Sequence, residues 1–222
     1  MSLAALLGVG PGLTAILGGG GKTTLLYALA EELKGRGSVI VSTSTKIRVP
    51  AHLPVLDPVT PEALRESLAA HSPLCLGSPL PEGKLAASAL PFAALSEAAD
   101  YVLVEADGSK GLPAKAHAAH EPVIPEAAGR VLLVLGADAF GKPISRVCHR
   151  PELFARRADA TLDAPLTPAL WARVILAEGY GNMIYVNKCE SPADWNNAAA
   201  LAALLPIPVA AGSLMEGCYR NL

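Results

Sequence analysis

The segment LTAILGGGGKTTLLYALAEELKG, residues 13–35, has the order strand, glycine turn, helix. An apolar run at 13–17 leads into four glycines, and Lys22, Thr23 and Thr24 then open a stretch with leucines at helical spacing. Backbone N–H groups in a glycine turn and at a helix start can converge on phosphate oxygens. The segment therefore predicts a phosphate-binding loop with the residues Gly18, Gly19, Gly20, Gly21, Lys22, Thr23 and Thr24.

The spacing departs from the common pattern G-x-x-x-x-G-K-[ST], which would place a glycine at position 16, where this chain has Ile16. We expect a contracted loop in which Lys22 reaches the β- and γ-phosphates of GTP or ATP and the Thr23 hydroxyl coordinates Mg²⁺. The alternative is a simple glycine turn with a solvated Lys22. Because four glycines without a packing role carry a large entropic cost on folding, phosphate binding is the favoured interpretation.

The rest of the chain alternates short apolar runs with helical patterns. Strands are predicted at 13–17, 38–43, 101–106, 131–136, 183–188 and 207–211, and helices at 22–35, 60–71, 167–179 and 191–205. Continuously apolar strands separated by helices are typical of a parallel sheet. We predict an α/β fold of the P-loop NTPase type, with a mostly parallel sheet and helices on both faces. It forms a single domain over 1–222, with a small insertion at 44–100 between the second and third of these strands.

Two acids follow the strand that ends in VEADG. Glu105 and Asp107 lie two residues apart and point the same way if the extended conformation continues. A P-loop requires an acidic group near its metal, so we expect Thr23, Glu105 and Asp107 to hold Mg²⁺ or to orient a nucleophile. The alternative is a pair of surface acids at a strand end.

The segment 107–130 shows little periodicity, and long irregular loops of this kind are usually functional or disordered. Lys110 and Lys115 are candidates to stabilise charge on a transferred phosphoryl group or to hold an anionic second substrate. His117 and His120 are candidate acid/base groups or metal ligands, and the alternative for each is a structural hydrogen bond.

The stretch VNKCE at 186–190 is a third indication of nucleotide binding, after the glycine loop and the acids of VEADG. A buried strand that ends in Asn-Lys-x-Asp reads guanine in many GTPases, so Asn187, Lys188 and Glu190 are predicted to contact the base. Glu190 stands where Asp is expected, and this leaves the choice between GTP and ATP open.

Composition excludes several classes of protein. The net charge is −2 and no dense Lys/Arg tract is present, which argues against nucleic acid as a partner. The start of the chain does not have the pattern of a signal peptide, and no apolar run is long enough to span a membrane. The four cysteines are widely spaced, which favours reduced thiols in a cytoplasmic protein.

Several blocks, taken together, resemble the YqeC-type selenium-dependent hydroxylase accessory proteins, also described as selenium cofactor biosynthesis proteins. The matching blocks are GGGGKTTLLYALA (18–30), VSTSTKI (41–47), VEADGSKGLPAKAHAAHEPVIP (104–125), LGADAFGKP (135–143), HRPELFA (149–155) and VNKCE (186–190). The resemblance implies a selenium-dependent molybdenum hydroxylase or its cofactor as partner, and it does not supply the reaction.

These observations lead to one hypothesis and two alternatives. The hypothesis is a cytoplasmic, Mg²⁺-dependent nucleotide-hydrolysing protein that assists maturation of such a hydroxylase. The first alternative is a small-molecule kinase or nucleotide-dependent ligase on the same scaffold. The second is a nucleotide-gated chaperone with little turnover of its own.

Overall fold

The computed structural model describes residues 2–57 and 60–222, which form two compact units. Unit 1 contains the N-terminal segment as far as Ile16, together with Thr23–Asp107 and Val123–Arg130. Unit 2 contains Leu17–Lys22, Gly108–Pro122 and Val131–Leu222. The single domain over 1–222 stays a prediction.

Unit 1 contains a parallel sheet. Its strands are β1 (Gly12–Gly18), of which the part up to Ile16 belongs to this unit, β2 (Val39–Thr43), β4 (Val55–Leu56), β5 (Leu74–Leu76) and β8 (Tyr101–Glu105). The strand order is β1–β8–β2–β5–β4, and every neighbouring pair is parallel. Every side chain of β2 and β8 is buried, as expected for strands covered on both faces.

The predicted insertion at 44–100 has two parts. The strands β3 (Lys46–Arg48), β6 (Ser78–Leu80) and β7 (Lys84–Ala86) form a separate antiparallel sheet, whereas β4 and β5 extend the parallel sheet. The helices of this segment are α3 (Pro61–Ala70) and α4 (Phe92–Ala98). Leu64 of α3 and Leu95 of α4 pack with Ile40 and Val102 in one apolar core cluster.

Two further helices lie near the start of the chain. They are α1 (Leu3–Leu6) and α2 (Lys22–Leu33), and α2 begins at the lysine that follows the four glycines. The predicted strand, glycine turn and helix are therefore present in that order.

Unit 2 contains a further run of mainly parallel strands. Its strands are β10 (Ala128–Gly136, in this unit from Val131 onward), β12 (Met183–Asn187), β13 (Val209–Ser213) and β14 (Cys218–Asn221). β12 is parallel to β10 and β13, and β14 is antiparallel to β13. Two short parallel strands, β9 (Ala114–Lys115) and β11 (Cys148–His149), pair separately. The helices are α5 (Ile144–Val147), α6 (Pro151–Ala158), α7 (Pro168–Glu178) and α8 (Pro192–Ala202).

The helices predicted at 60–71, 167–179 and 191–205 are present, and each begins after a Thr or Ser side chain that caps it. The side chains of Thr60, Thr167 and Ser191 accept backbone N–H groups in the first turns of α3, α7 and α8. In each case proline occupies the first helical position, where its missing N–H is not needed.

The α/β fold with mostly parallel pairing is confirmed. Within the described ranges, none of the helices is long and apolar enough to cross a bilayer. The cytoplasmic location stays a prediction.

Candidate functional site

The glycine loop, defined here as Gly18–Lys22, lies in unit 2 against the end of β10. The N–H of Gly19 donates to the Val134 carbonyl at 2.9 Å, and the N–H of Gly20 donates to the Leu112 carbonyl at 3.2 Å. The loop backbone is thus held by hydrogen bonds to two other segments of the same unit.

All four glycines are required by close packing. Added Cβ atoms at Gly18, Gly19, Gly20 and Gly21 would lie 2.2–2.6 Å from other atoms of the unit, and Gly18, Gly20 and Gly21 also have positive φ. A side chain at any of these positions would force its neighbours apart. The sequence interpretation gave the glycines no packing role, and this was wrong.

Lys22 is folded back over the glycine loop. Its ammonium group donates to the Gly18 carbonyl at 2.8 Å, and the residue is buried. The positive charge therefore lies at the loop, on the first residue of α2. Thr24, also predicted to bind phosphate, is exposed on α2.

In unit 1, the Thr23 hydroxyl meets the Glu105 carboxylate. Thr23 Oγ1 donates to Glu105 Oε2 at 2.7 Å, and Glu105 is buried at the carboxyl end of β8. Strand register explains how Glu105 is positioned, because it lies beside Ile16 of β1 and Thr43 of β2. A hydroxyl in the first turn of a helix and a carboxylate at a strand end are thus brought together.

The chain beyond β8 is held by backbone hydrogen bonds. Ala106 donates its N–H to Ile16 and accepts from Val123, and Asp107 is fully buried next to it. Two hydroxyl side chains at the end of β2 and just after it are used in hydrogen bonds within unit 1. Thr43 donates to the Glu105 carbonyl at 2.9 Å, and Ser44 donates to the Val123 carbonyl.

Asn187 links the glycine loop to the segment after β13. Its amide nitrogen donates to the Gly20 carbonyl at 2.9 Å, and its amide oxygen accepts from the Leu214 N–H at 3.2 Å. Both polar atoms of this buried side chain contact the backbone, so Asn187 positions the loop.

Lys188 and Glu190, the other two residues of VNKCE predicted to contact the base, are more exposed than Asn187. Lys188 has positive φ and forms an ion pair with Asp138 at 2.8 Å, at the surface. Glu190 is exposed and accepts from the Ser213 hydroxyl at 3.2 Å. Its carboxylate therefore lies beside the last residue of β13.

Lys115 and Glu121 form an ion pair inside the segment 108–122. The Lys115 side chain is 0% exposed, and its Nζ lies 3.0 Å from Glu121 Oε2 and 2.7 Å from the Gly108 carbonyl. Arg150 contacts the same carboxylate oxygen through Nη2 at 3.0 Å. Burial tends to raise the pKa of Glu121, but the ion pairs with Lys115 and Arg150 outweigh it and hold that pKa below its usual range.

His117 belongs to a second buried cluster. Its Nδ1 lies 2.6 Å from Glu178 Oε2, and its backbone N–H donates to Glu178 Oε1 at 2.8 Å. Arg157 donates to the same carboxylate and to the His117 carbonyl. His120 and Lys110 are exposed, so the structure does not bring His120 into this cluster.

Sequence reasoning missed Glu121, Glu178 and Arg157. Glu121 directly follows the segment that contains the lysine and histidine candidates, and a search for a counter-ion there could have found it. Glu178 is the last residue of α7 and has no local sequence signal.

The four cysteines differ in their exposure. Cys75, Cys148 and Cys189 are buried and Cys218 is exposed, and all four are free. Burial raises the pKa of each of the three buried thiols to about 12, so they are protonated at neutral pH. In residues 2–57 and 60–222, no three His, Cys, Asp or Glu side chains are grouped closely enough to hold a metal ion.

Comparison with known proteins gives the family. Residues 14–152 match the family described as YqeC protein. The chain belongs to the YqeC family. It is 35% identical over 164 residues to the Uncharacterized protein YqeC of Escherichia coli (strain K12). The aligned region covers 70% of this chain and 64% of that relative, so the chain spans less than two thirds of the relative's length. No solved structure matches significantly.

The family match ends at residue 152 and includes the glycine loop, Glu105, the segment 108–122 and β11. The residues Asn187, Lys188 and Glu190 lie beyond it.

The close packing of the glycine loop makes a first prediction. We expect Gly20→Ala to destabilise the protein by at least about 2 kcal/mol, because Gly20 has φ +73° and an added Cβ would lie 2.2 Å from the Gly136 nitrogen. Gly35→Ala is the matched control, since a Cβ there has nothing within 4 Å, and we expect it to be neutral or slightly stabilising. Urea unfolding measures both. Equal stability of the two variants would contradict the packing account.

The depressed pKa of Glu121 makes a second prediction. A carboxylate whose folded-state pKa is lowered contributes stability above its unfolded pKa of about 4.3, and that stability is lost as pH falls through the folded pKa. We therefore expect Glu121→Gln to lower the free energy of unfolding by about 1–3 kcal/mol at pH 7. The difference from the wild type should shrink below about pH 4.

Urea unfolding between pH 3 and 8 tests this pH dependence, with the exposed Glu126→Gln as control. A Glu121→Gln effect that stays the same size throughout this range would show that its ion pairs do not stabilise the fold.

Proposed function

We propose that this member of the YqeC family binds and hydrolyses GTP or ATP with Mg²⁺, through a P-loop-like arrangement of residues 18–24. The observation that carries the proposal is the 2.7 Å hydrogen bond between Thr23 Oγ1 and Glu105 Oε2. A helix-start hydroxyl beside a strand-end carboxylate is the pair that P-loop NTPases use around Mg²⁺.

The donor set fits Mg²⁺, which prefers oxygen ligands and binds through one or two carboxylates together with phosphates. The Thr23 hydroxyl and the Glu105 carboxylate would hold the ion, and Asp107 is the second carboxylate of the predicted set. Bound Mg²⁺ would neutralise charge on the phosphate oxygens.

Lys22 provides the cation for the phosphates. Its ammonium group contacts the Gly18 carbonyl, and an incoming phosphate offers a stronger, charge-assisted partner. Lys22 and Thr23 are consecutive residues in the first turn of α2, so the helix N-terminus adds its positive end to the same stretch of chain.

Asn187 keeps the loop in place for the nucleotide. By bonding both Gly20 and Leu214, it holds the glycine loop and the segment after β13 in a fixed relation inside unit 2. The Glu190 carboxylate lies beside Ser213 at the end of β13 and can accept the N1–H and N2–H donors of guanine. We therefore include GTP as the first nucleotide to test and ATP as the second.

For hydrolysis, a base or orienting group must act on water, and Glu105 and Asp107 are the acids proposed for that role. The link to maturation of a selenium-dependent molybdenum hydroxylase rests on the sequence resemblance alone. Retention of such a hydroxylase that depends on bound nucleotide would support it.

Nucleotide titration of purified protein tests the proposal. In the presence of Mg²⁺, we expect Lys22→Ala to weaken GTP or ATP binding by about 10- to 100-fold, which corresponds to roughly 1.4–2.8 kcal/mol. Lys34→Ala is the matched control, because Lys34 is an exposed lysine just beyond α2, and it should bind like the wild type. Thermal unfolding of each variant shows whether the fold is kept.

A second pair of variants tests the metal ligand. Thr23→Ala should remove the effect of Mg²⁺ on affinity, and Thr23→Ser should restore it because the hydroxyl is kept. Wild-type protein that binds neither GTP nor ATP with Mg²⁺ would overturn the proposal.

A further inference from the structure

An acidic side chain that the proposed function does not use lies beside the glycine loop in unit 2. Asp138 comes two residues after Gly136, the last residue of β10. A Cβ added to Gly136 would lie 2.5 Å from Asp138 Oδ1 and 3.0 Å from the Cα atom of Gly20. The Asp138 carboxylate and the glycine loop are therefore packed against the same point of the backbone.

Asp138 holds the side chain of Lys188. The Lys188 ammonium group lies 2.8 Å from Asp138 Oδ2, and both side chains are 38% exposed. Strand register explains why they meet, because Gly136 at the end of β10 lies beside Asn187 at the end of β12. The Lys188 side chain thus reaches from the end of β12 to the end of β10.

The residue before Lys188 fixes where this side chain begins. Asn187 donates to the Gly20 carbonyl at 2.9 Å, and a Cβ added to Gly21 would lie 2.6 Å from the Asn187 amide nitrogen. Lys188 therefore starts beside the glycine loop, and Asp138, which receives its ammonium group, also lies at that loop. The lysine stem between these two ends is held next to the loop.

The backbone of Lys188 is strained. Its φ is +64°, in the left-handed region that non-glycine residues rarely adopt. Asparagine and aspartate tolerate this region because their short side chains bond locally, and lysine has no such compensation. Strained residues persist where the surrounding structure holds them, and they cluster at ligand-binding sites. The strain indicates that the direction of the Lys188 side chain serves a function.

Stability does not account for the Asp138–Lys188 pair. An ion pair with this exposure contributes little to the free energy of unfolding. Asp138 Oδ1 is buried, and none of the residues in the described ranges hydrogen-bonds it. A buried acceptor without a partner is unfavourable. The position of this carboxylate is therefore a cost to the fold that another role must justify.

We propose that Asp138 is a positioning residue for recognition of the nucleotide base, and that it acts through Lys188. The inference rests on the proposed function, because it requires phosphates at the glycine loop. With its ammonium group held by Asp138, Lys188 presents its apolar stem to a flat ring, and lysine stems pack along apolar surfaces. Along the chain, Lys188 lies between Asn187, which holds the loop, and Glu190, the proposed acceptor for guanine.

The proposal names the ligand class. A purine nucleoside triphosphate uses Asp138, because its ring packs on the lysine stem. Inorganic tripolyphosphate has no ring, so it binds at the glycine loop without using Asp138.

Titration calorimetry with GTP, ATP and tripolyphosphate, each with Mg²⁺, tests the inference. We expect Asp138→Ala to weaken binding of the preferred nucleotide about 10-fold and to change tripolyphosphate binding less than twofold. A simple charge effect has the opposite sign, because removal of a negative charge near an anion strengthens the binding of all three ligands. The exposed Asp163→Ala is the matched control and should bind like the wild type.

Urea unfolding separates this role from a structural one. Asp138→Ala should unfold at the same urea concentration as the wild type or at a slightly higher one, because it loses an exposed ion pair and removes a buried oxygen without a partner.

A double-mutant cycle tests whether Asp138 acts through Lys188. We expect Lys188→Ala to weaken nucleotide binding as Asp138→Ala does. Addition of Asp138→Ala to Lys188→Ala should then change the affinity less than twofold further. Effects that multiply in the double variant would show that Asp138 acts independently of Lys188, which would overturn the inference.

The three ligands distinguish failure of this inference from failure of the proposed function. If the wild type binds nucleotides and Asp138→Ala binds them equally well, the inference is wrong and the proposed function stands. The same conclusion follows if nucleotides bind no more tightly than tripolyphosphate, because the base then adds no affinity. If the wild type binds none of the three ligands, both the inference and the proposed function are wrong.

Discussion

The backbone of the glycine loop lies so close to the end of β10 that no side chain fits between them. An added Cβ at Gly18 would lie 2.3 Å from the Val134 carbonyl oxygen, and one at Gly20 would lie 2.2 Å from the Gly136 nitrogen. The loop is therefore fixed by direct backbone contact. This contact keeps the Lys22 ammonium over the loop and allows Asn187 to bond the loop from the neighbouring strand β12.

The same close packing gives a different reason for glycine at the four positions 18–21. Glycine repeats before a lysine are commonly interpreted as space for phosphate oxygens, but here the missing side chains already make room for protein backbone. The proposal of nucleotide binding consequently depends less on the glycines than on the Thr23–Glu105 pair and on the buried Lys22. The segment 110–115 also contacts the glycine loop, because the Leu112 carbonyl accepts the N–H of Gly20.

Elements with a strong local pattern could be predicted from the sequence. The buried strands, the capped helices and the pairing of Thr23 with a carboxylate at the end of β8 follow from periodicity, capping residues and the rule that ligands gather at the carboxyl ends of parallel strands. The strands of the segment 44–100 were harder to predict from the sequence. β4 and β5 are only two and three residues long and carry almost no periodic signal.

Contacts between residues distant in sequence were not predictable. The His117–Glu178 pair joins an irregular segment to a helix end 61 residues later, and nothing near either residue indicates the partner. Asn187 was expected to contact a base, yet its two polar atoms bond Gly20 and Leu214, which only the folded chain brings to it. For His117 and for Asn187, tertiary packing determines which residues they contact.

The central claim, that a Mg²⁺–nucleotide complex binds at the glycine loop, is tested most directly by hydrogen exchange of the full chain. Exchange of backbone amides is compared with and without GTP or ATP, each in the presence and absence of Mg²⁺. The account predicts slower exchange for residues 18–25 that requires both nucleotide and Mg²⁺. Unchanged exchange in this segment at saturating nucleotide, or protection confined to other parts of the chain, would contradict it.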